Sequence, residues 1–407
     1  MQFIKHFILN ILILLYRIPL GKWIGKQKRK NAILVMRTDL IGDCIIWLDS
    51  AKEYKKQFPD AHIVLLYNKA WKDLALQMPY FDECIPFDGK RFMKSIRYYF
   101  VLLKQINAYH YQKVFNTMYA RNFFIQDWIV RNVSADEKTG FGGNYTNTNN
   151  TLAKLTSNFT KYNAKLYNIA NKWYDKLIVA EQGTKMELLR NAEFIQGCLN
   201  PAFKADLPVF PFEIKADSNM LSEKYVVFAL GASTPRKAWN IEKFAAVAQK
   251  ISQRYSIVCC GTQNERILYW QMKQLLAPNT NIINLCGKTT LTELFGVIKY
   301  ARFVVTNDTG TSHIAVATQT PSVVILGGGH FGQFHPYPTD IIQEVHTHTH
   351  TPDYLPMVVC KPMECYHCGW ICKYPLQNGK WKCIADINTD DVMEKVDILL
   401  NRLNNEN

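Results

Sequence analysis

The segment from Thr306 to His313 brings an acid, several hydroxyls, a glycine and an imidazole together in consecutive positions. The apolar run Phe303–Val305 before it predicts a buried strand, and Ile314–Ala317 after it predicts a helix. The first turn of a helix presents backbone N–H groups and the positive end of the helix dipole, and open α/β sheets bind ligands beyond the carboxyl ends of their strands. The segment therefore predicts an anion-binding turn. The alternative is a polar N-cap without a ligand.

Asp43 is a candidate general base. The apolar residues Ala32–Met36 predict a strand, a turn follows at Arg37–Gly42, and a helical pattern continues through Lys56. Asp43 thus starts a helix beyond the end of a strand, where its carboxylate can take a proton from a bound hydroxyl. The alternative is a first-turn acid that only complements the helix dipole.

Lys237 is a candidate phosphate ligand. It follows a glycine and hydroxyl loop, Gly231–Thr234, which comes after the predicted strand Tyr225–Leu230. A diphosphate leaving group needs positive charge and N–H donors where its negative charge develops. A lysine in a solvated loop is the alternative. The residues expected to bind a diphosphate are Ser233, Thr234, Lys237, Thr309 and Gly310.

Five of the eleven cysteines lie close together near the end of the chain: Cys360, Cys365, Cys368, Cys372 and Cys383. Four thiolates at this spacing can close a tetrahedral zinc or iron site, and unligated or disulfide-forming thiols are the alternative. One of the histidines nearby can replace a cysteine as ligand: His346, His348, His350 or His367. The segment is interpreted as a structural clip or an assembly surface.

The composition narrows the class of partner. The 407 residues are long enough for two domains, and 48% hydrophobic content supports packed cores. A net charge of +14 favours an anionic partner. The sequence contains no zinc-finger spacing ending in two histidines and no ribonucleoprotein sheet motif, so nucleic acid is not expected. An odd number of cysteines, several within apolar runs, favours a reducing cytosol.

Residues 1–30 are predicted to associate with a membrane surface. Phe7–Leu20 is largely apolar but too short to span a bilayer, and it lacks a signal-peptide cleavage site. A basic cluster, Lys22–Lys30, follows it. An apolar helix beside basic residues suits an in-plane anchor on an anionic inner leaflet, and a helix packed on its own domain is the alternative. The expected location is the cytoplasmic face of the inner membrane.

Strands and helices alternate along most of the chain, which predicts parallel, doubly wound sheets. A proline-containing stretch without clear periodicity interrupts the pattern, which then restarts. The expected organisation is a Rossmann-like domain at 31–205, a linker at 206–222, a second Rossmann-like domain at 223–388 containing the cysteine-rich segment 360–383, and a final helix at 389–407. Two such domains form a cleft. This arrangement resembles the architecture of two-domain sugar-nucleotide transferases, and the resemblance implies that the first domain binds the acceptor and the second binds the nucleotide sugar.

Four motifs in chain order resemble glycosyltransferase family 9, the ADP-heptose:lipopolysaccharide heptosyltransferases. The resemblance covers Ala32 to Gly332. It departs from the family pattern at Asn240, where the family usually has a proline. The motifs are Ile33–Asp43, ending in Gly-Asp; Gly231–Thr234 with Lys237-Ala238-Trp239; Gly287–Leu294; and Asp308–His313 with the following Ala-Val-Ala and Pro321. Gly287-Lys288-Thr289 is not a P-loop, because Ile282 occupies the position of its first glycine.

The resemblance implies an α/β fold of two Rossmann-like doubly wound domains facing across a cleft, the GT-B architecture. It implies an inverting transferase that moves a heptose or related sugar from a nucleotide-diphosphate donor, such as ADP-heptose, to a lipopolysaccharide core or cell-envelope glycan. Catalysis in this family needs no cofactor. Two alternatives stay open: a protein-directed heptosyltransferase on the same fold, and a catalytically silent sugar-nucleotide or metal-sensing homologue.

The resemblance also implies residue roles. Asp43 is the base that deprotonates the acceptor, although Asp39 can instead do this or orient Arg37. Lys237 binds the donor phosphates, and Asp308 binds the sugar. The nucleoside contacts are expected at Gly261, Thr262 and Glu265, and the acceptor contacts at Arg37, Asp39, Arg91 and Lys94. Arg91 and Lys94 belong to a basic run at helical spacing, for which a solvated charged face is the alternative.

Overall fold

The computed structural model describes residues 28–29, 31–144, 146, 159–215, 224–339 and 354–405. The chain divides into two compact units, and their segments interleave. The first unit contains the described chain up to Leu40, Ser50–Gln182 and Arg190–Phe203. The second contains Ile41–Asp49, Gly183–Leu189 and the chain from Lys204 onward. The residues around Asp43 therefore belong to the second unit.

The described part of the first unit holds a seven-stranded parallel sheet in the order β4-β3-β2-β5-β6-β7, with β1 also paired to β5. All six residues of β2 are buried, as expected for a parallel strand covered on both faces. The strands are β1 (Lys28–Arg29), β2 (Ala32–Arg37), β3 (His62–Asn68), β4 (Glu83–Phe87), β5 (Tyr109–Asn116), β6 (Ala135–Phe141) and β7 (Lys176–Ile178).

Helices connect these strands, and a short π-helical turn, Phe123–Asp127, precedes one of them. The helices are α1 (Ile41–Gln57), α2 (Lys72–Ala75), α3 (Gly89–Lys94), α4 (Ile96–Ile106), α5 (Trp128–Asn132), α6 (Phe159–Asn171) and α7 (Glu187–Cys198). Only the later part of α1 belongs to the first unit, because its first residues, Ile41–Asp49, group with the second.

The second unit contains a six-stranded parallel sheet in the order β10-β9-β8-β11-β12-β13. Its strands are β8 (Tyr225–Ala229), β9 (Ser256–Cys260), β10 (Ile282–Asn284), β11 (Val304–Asn307), β12 (Ser322–Ile325) and β13 (Met357–Val359). Its remaining helices are α8 (Ile241–Ile251), α9 (Arg266–Leu275), α10 (Leu291–Lys299), α11 (Gly310–Ala317), α12 (Lys382–Ala385) and α13 (Thr389–Asn405).

The strand order reverses between β8 and β11: the chain runs outward through β9 and β10, then restarts at β11 on the other side of β8. Ligands of doubly wound sheets bind at this switch point, beyond the carboxyl ends of the strands. The loops that follow β8 and β11 carry Lys237 and Asp308. The topology therefore places both predicted donor loops where a nucleotide would bind.

The α/β class and the two doubly wound parallel sheets are confirmed. The predicted strands Ala32–Met36 and Tyr225–Leu230 differ from β2 and β8 by one residue at their ends. The alternation of the sequence also predicts a strand at Ser256–Cys260, which coincides with β9, and a helix at Glu265–Leu276, which instead begins as a 3-10 turn, Gln263–Glu265, before α9. The helix of the Thr306–His313 motif starts earlier than predicted, at Gly310.

Several predictions fall on residues that the structure does not describe. These are the apolar segment Phe7–Leu20, most of the basic cluster that follows it, and the histidines at 346, 348 and 350. Parts of the loop expected at Phe141–Thr160 and of the linker expected at 206–222 also lie outside the described residues. Within the described ranges, none of the helices combines the length and apolar character needed to cross a membrane.

Candidate active site

Asn307 joins the two donor loops of the second unit. It is fully buried at the end of β11, and its side-chain amide donates to the carbonyl oxygens of Leu230 (3.0 Å) and Gly231 (2.9 Å). Its Oδ1 accepts a hydrogen bond from the N–H of Trp239 at 2.9 Å. The Gly231–Trp239 loop is therefore tied at both ends to the strand that precedes Asp308. This role of Asn307 was not predicted, because an asparagine beside an aspartate carries no distinctive sequence signal.

Asp308 is a buried carboxylate with one cation and one further carboxylate nearby. Only 15% of its side chain is exposed. Burial raises the pKa of Asp308 to about 6; the Lys237 ammonium lowers it, and the charge of Asp43 raises it. These interactions place Asp43, Lys237 and Asp308 in one electrostatic cluster. Perturbed carboxylates of this kind are typical of functional sites.

Lys237 projects from a loop in which Ser233 and Thr234 are exposed. Burial lowers the pKa of the Lys237 ammonium, and Asp308 acts in the opposite direction. The loop is compact, since the Lys237 N–H donates to the Thr234 carbonyl at 3.0 Å. The Lys237 Nζ lies 4.4 Å from the centre of the Trp370 ring. The lysine is thus held by its surroundings and is not a solvated surface side chain.

The turn before Asp43 packs directly on the turn after Asp308. A Cβ on Gly42 would lie 3.1 Å from His313 Cδ2 and 3.4 Å from Gly310 Cα. A Cβ on Gly310 would lie 2.8 Å from Ile41 Cγ2. A side chain at Gly310 therefore requires Ile41 to move, and one at Gly42 would crowd His313. This packing brings the start of α1 to the start of α11 within the second unit.

The first turn of α11 is prepared for an anion. The N–H groups of Thr309 and Gly310 have no hydrogen-bond partner among the described residues. Backbone N–H groups at a helix start bind phosphate oxygens. The predicted anion-binding turn therefore has the donors that it needs, directly beside Asp308.

A network of buried hydrogen bonds stabilises this turn. The Ser312 hydroxyl donates to the Thr309 carbonyl at 2.7 Å, so its oxygen accepts from His335 Nε2 at 2.8 Å. His335 is fully buried, its Nδ1 has no hydrogen-bond partner, and burial holds its pKa well below the usual value. The neutral imidazole thus fixes the Thr309 backbone through one hydroxyl. His335 was not predicted, because nothing in its local sequence marks it.

His313 lies beside this network. Its Nδ1 hydrogen-bonds to the Tyr337 hydroxyl at 2.9 Å, and burial lowers its pKa to about 3. In the described residues, Asp308, His313 and His335 are the three-residue group whose ligand atoms lie within 4.8 Å of one another. The two imidazoles stack in nearly parallel planes, 7° apart with centroids at 4.7 Å. Because a ring nitrogen directs its lone pair within the ring plane, parallel rings do not converge on one metal ion.

Glu265 lies against two of the loops at this edge of the sheet. Its Oε2 accepts hydrogen bonds from the Thr262 N–H at 2.6 Å and the Thr262 hydroxyl at 2.9 Å. The first of these belongs to a capping box, in which the Thr262 side chain accepts from the Glu265 N–H in return. A Cβ on Gly231 would overlap the Glu265 carboxylate, and one on Gly261 would lie 2.8 Å from its Oε2. The structure thus brings the predicted nucleoside contacts next to the loop after β8. It also gives Thr262 and Glu265 a local structural role.

The Gly287–Leu294 motif starts a helix. The Thr290 hydroxyl accepts from the Glu293 N–H at 3.3 Å, and Glu293 Oε2 accepts from the Thr290 N–H at 2.6 Å. This capping box satisfies the first N–H groups of α10. Gly287 adopts a φ of +71°, which favours glycine.

Arg37 and Asp39 form an ion pair in the first unit. Arg37 Nη2 lies 2.8 Å from Asp39 Oδ2, and Arg37 Nη1 donates to Asn191 Oδ1 at 2.9 Å. The Arg37 side chain is fully buried. Of the two roles considered for Asp39, the geometry favours the orientation of Arg37.

Arg91 and Lys94 are exposed on α3, also in the first unit. The Arg91 guanidinium lies 4.8 Å from the centre of the Tyr98 ring. Both residues are positioned to meet an anion from solvent, and their contact with an acceptor stays a prediction.

Cys383 interacts with three of the other four clustered cysteines. Burial raises the pKa of the Cys383 thiol, as do the charges of Cys372, Cys365 and Cys368. The Cys383 sulfur also accepts from the Gly328 N–H at 3.4 Å. None of the eleven cysteines forms a disulfide, and all lie within the described residues. No three of the clustered sulfurs meet the 4.8 Å separation that Asp308, His313 and His335 meet.

The sequence is similar to those of known proteins. The model of glycosyltransferase family 9 (heptosyltransferase) matches residues 128–355. Lipooligosaccharide heptosyltransferase 2 of Campylobacter jejuni is 28% identical over 221 residues, which cover 53% of this chain and 64% of that relative. The chain thus spans somewhat less than two thirds of the length of this curated relative.

Solved structures share the fold. The ADP-heptose lipopolysaccharide heptosyltransferase II of Escherichia coli aligns over 91% of this chain and 99% of its own, with a TM-score of 0.60 and 17% identity. The iron-containing dodecameric glycosyltransferase TibC of enterotoxigenic E. coli aligns over 93% of this chain and 78% of its own, with a TM-score of 0.50 and 15% identity. At these identities the likeness shows the fold alone.

Proposed function

The chain belongs to glycosyltransferase family 9, and we propose that it transfers a heptose or related sugar, with inversion, from a nucleotide-diphosphate donor to a cell-envelope glycan. The donor that we propose is ADP-heptose, the nucleotide sugar named for the E. coli enzyme of the same fold. The proposed acceptor is a lipopolysaccharide or lipooligosaccharide core, the glycan named for the related proteins. The observation that carries the proposal is the cluster of Asp43, Lys237 and Asp308 at the switch point of the second sheet.

The base in this proposal is Asp43. Its carboxylate removes the proton of an acceptor hydroxyl as the hydroxyl oxygen attacks the anomeric carbon of the donor. The bond from that carbon to the diphosphate oxygen breaks on the opposite face, so the configuration inverts. A positioned base of this kind contributes roughly 10²- to 10⁴-fold to the rate. Asp39 is less suited to this role, because its carboxylate is already paired with Arg37.

The leaving nucleoside diphosphate gains negative charge as the bond breaks. We propose that the Lys237 ammonium and the N–H groups of Thr309 and Gly310 stabilise that charge, with the Ser233 and Thr234 hydroxyls as further donors. The partly buried position of Lys237 strengthens its interaction with a phosphate, because less water screens the charge. Asp308, next to these donors, accepts hydrogen bonds from sugar hydroxyls.

The test is identification of the product. Purified full-length protein is incubated with a panel of nucleotide sugars and with lipid-linked core acceptors, and products are analysed by mass spectrometry. Addition of one heptose mass to a core acceptor supports the proposal. Transfer to protein only would favour a protein-directed transferase. Donor binding without transfer or hydrolysis, under conditions in which a family member is active, would favour a catalytically silent homologue.

We further propose that α3 and α4 meet the anionic membrane surface that carries the acceptor. Ile96 is 75% exposed and Val101 49%, and Met93 and Phe100 are also exposed. Basic side chains are exposed among them: Arg91, Lys94, Arg97 and Lys104. A solvated charged face does not require exposed apolar side chains, whereas a helix on an anionic bilayer uses both kinds. This surface would act at the cytoplasmic leaflet together with residues 1–30.

Sedimentation with lipid vesicles tests this surface. The full-length protein is expected to bind vesicles containing phosphatidylglycerol and to bind neutral phosphatidylcholine vesicles much less. The double variant Ile96→Ser/Phe100→Ser is expected to weaken binding. The matched control is Ile267→Ser, which changes an exposed isoleucine that is 58% exposed on α9. Equal binding by both variants would remove α4 from the proposal.

We also propose that Cys365, Cys368, Cys372 and Cys383 hold a structural iron or zinc ion. The charge interactions of Cys383 with the other three thiols support this proposal, and thiolates are suitable ligands for both metals. The TibC structure is described as iron-containing. Since the sulfurs are more widely spaced than a tetrahedral site requires, binding would have to draw them inward. The ion would stabilise the segment and take no part in sugar transfer. Cys360, which interacts with the Tyr366 hydroxyl, lies outside this set.

A further inference from the structure

The cysteine-bearing segment, residues 360–383, packs against the backbone of consecutive glycines next to the proposed donor site. The loop after β12 contains Gly327-Gly328-Gly329, and its carbonyl oxygens accept hydrogen bonds from that segment. The His367 N–H donates to Gly328 at 2.8 Å, and the Gly369 N–H donates to Gly329 at 3.0 Å. A Cβ on Gly327 would lie 2.6 Å from the Trp370 ring, and one on Gly329 would overlap that ring. Gly327 and Gly329 therefore leave room for the Trp370 ring, whereas a Cβ on Gly328 would overlap the Tyr366 ring.

The backbone that carries Trp370 is strained. His367 and Trp370 both adopt a φ of 66°, and Gly369, between them, adopts 58°. A non-glycine residue in the left-handed region costs of order 1 kcal/mol or more and persists only where its surroundings enforce it. Among the residues that the structure describes, the buried indole N–H of Trp370 has no hydrogen-bond partner, so none of their hydrogen bonds to the ring offsets this cost. Two cysteines, Cys368 and Cys372, flank the strained residue in sequence.

The ring held in this way lies under Lys237. The Lys237 Nζ is 4.4 Å from the ring centre of Trp370, within the range of a cation–π interaction. The ring of His330 approaches the same indole, with centroids 5.8 Å apart at 75°. Burial, together with the charge of Lys237, lowers the pKa of His330 to about 4, so this neighbour is neutral and does not repel the ammonium. The Lys237 ammonium thus contacts an aromatic face, and its charge also interacts with that of Asp308.

We propose that Trp370 is the positioning residue for Lys237, so that the cysteine-bearing segment forms part of the donor diphosphate site. The proposal rests on the proposed function, in which Lys237 binds the diphosphate. A lysine has a flexible four-carbon stem and loses rotamer entropy when it is fixed. An aromatic face that holds the ammonium before the donor arrives removes much of that loss from the binding step. Trp370 acts through Lys237 and has no assigned contact with the substrate.

The test is a double-mutant cycle measured by calorimetric binding of ADP to the full-length protein. Trp370→Leu is expected to weaken ADP binding roughly tenfold, consistent with a partly desolvated cation–π contact. Trp370→Phe, which keeps an aromatic face, is expected to stay within about threefold of the wild type. In a Lys237→Met background, Trp370→Leu is expected to change ADP binding less than twofold, because its partner is gone.

The matched control is Trp381→Leu. Trp381 also lies under a cation of the same loop, with the Arg236 guanidinium 5.3 Å from its ring centre, and we assign it no role in donor binding. It is expected to leave ADP affinity unchanged. Thermal unfolding identifies any variant that fails to fold. If Trp370→Leu does not fold, the comparison of ADP binding uses Trp370→Phe and Trp370→Tyr instead.

Two outcomes overturn the inference. One is ADP binding by Trp370→Leu equal to that of the wild type. The other is an equal loss on Trp370→Leu with and without Lys237, which would show that the ring supports the fold and not the lysine. If Lys237→Met alone leaves ADP binding unchanged, then the role of the lysine in the proposed function fails, and this result is distinguishable from a failure at Trp370.

Discussion

The carboxylates of Asp43 and Asp308 interact through their charges within the second unit. Burial, the largest influence, raises the pKa of Asp308 to about 6; Lys237 opposes it, and Asp43 adds to it. The two acids begin different helices, and Gly42 and Gly310 allow these helices to meet. The relative position of the proposed base, Asp43, and the proposed sugar ligand, Asp308, thus depends on one contact between two turns.

Replacement of Asp308 with asparagine is expected to stabilise the protein at neutral pH. Because the pKa in the folded state is raised, the folded protein holds a proton between about pH 4 and 6 that the unfolded chain has lost. Stability therefore falls as the pH rises through this window, and the penalty is fully present above it. Asp308→Asn should raise the free energy of unfolding at pH 7.5 by up to about 3 kcal/mol, while donor binding weakens.

Urea unfolding at pH 5 and pH 7.5 measures this effect, which should shrink at the lower pH. Asp82→Asn is a control of opposite sign. Burial alone would raise the pKa of Asp82, but the Ile63 N–H and the Lys55 ammonium lower it overall, so this variant should destabilise the protein. A loss of stability on Asp308→Asn at pH 7.5 would show that Asp308 carries no burial penalty.

A methyl group at Gly310 is expected to separate the two turns. Its Cβ would lie 2.8 Å from Ile41 Cγ2, so Gly310→Ala should cost roughly 1–3 kcal/mol of stability and lower transfer activity more than tenfold. Gly89→Ala is the control, because its Cβ would contact only the edge of the Phe87 ring, at 3.3 Å. Thermal unfolding and transfer assays on both variants test this, and full activity in Gly310→Ala would contradict the packing.

Ser312 is expected to support the anion-binding turn. Ser312→Ala removes the hydroxyl that joins His335 to the Thr309 carbonyl and leaves a buried N–H without an acceptor, at a cost of roughly 1–3 kcal/mol. ADP binding should weaken severalfold as the turn loosens. Thr318→Ala removes a buried hydroxyl at the other end of the same helix, where it donates to the Ile314 carbonyl at 2.9 Å. If both variants weaken ADP binding equally, then the effect is general destabilisation.

The cysteine segment is expected to bind one metal ion per chain. Elemental analysis of purified protein should find iron or zinc, and Cys365→Ser/Cys368→Ser should lose it. Cys360→Ser should retain the ion, because Cys360 lies outside the proposed ligand set and interacts with Tyr366. Cys84→Ser is a control far from the segment in sequence. Loss of the ion from Cys360→Ser would change the ligand set, and absence of iron and zinc from the wild type would remove the site.

The fold could be predicted from the sequence because its parallel strands are buried on both faces. Runs such as Ile33–Met36 and Ser256–Cys260 therefore stand out as continuous apolar segments. Asp308 and Lys237 were predicted as candidate site residues for a related reason: each follows such a strand, where the topology of the sheet directs loops to a ligand.

Other parts of the site have no local signal. Trp370 reaches Lys237 only through backbone angles that tryptophan rarely adopts, and His335 reaches Thr309 only through Ser312. Contacts that join distant segments through side chains are not encoded in the periodicity of either segment. The grouping of Ile41–Asp49 with the second unit, in a helix shared with the first, is invisible for the same reason.

The most direct test of the account is transfer of labelled heptose by Asp43→Asn, compared with its affinity for the donor. We predict that turnover falls roughly 10²- to 10⁴-fold while the donor Kd changes less than threefold, because the base acts on the acceptor. Asp39→Asn, which changes the neighbouring acid paired with Arg37, should lose far less turnover. Near-normal turnover by Asp43→Asn, or a larger loss in Asp39→Asn, would contradict the assignment of Asp43 as the base.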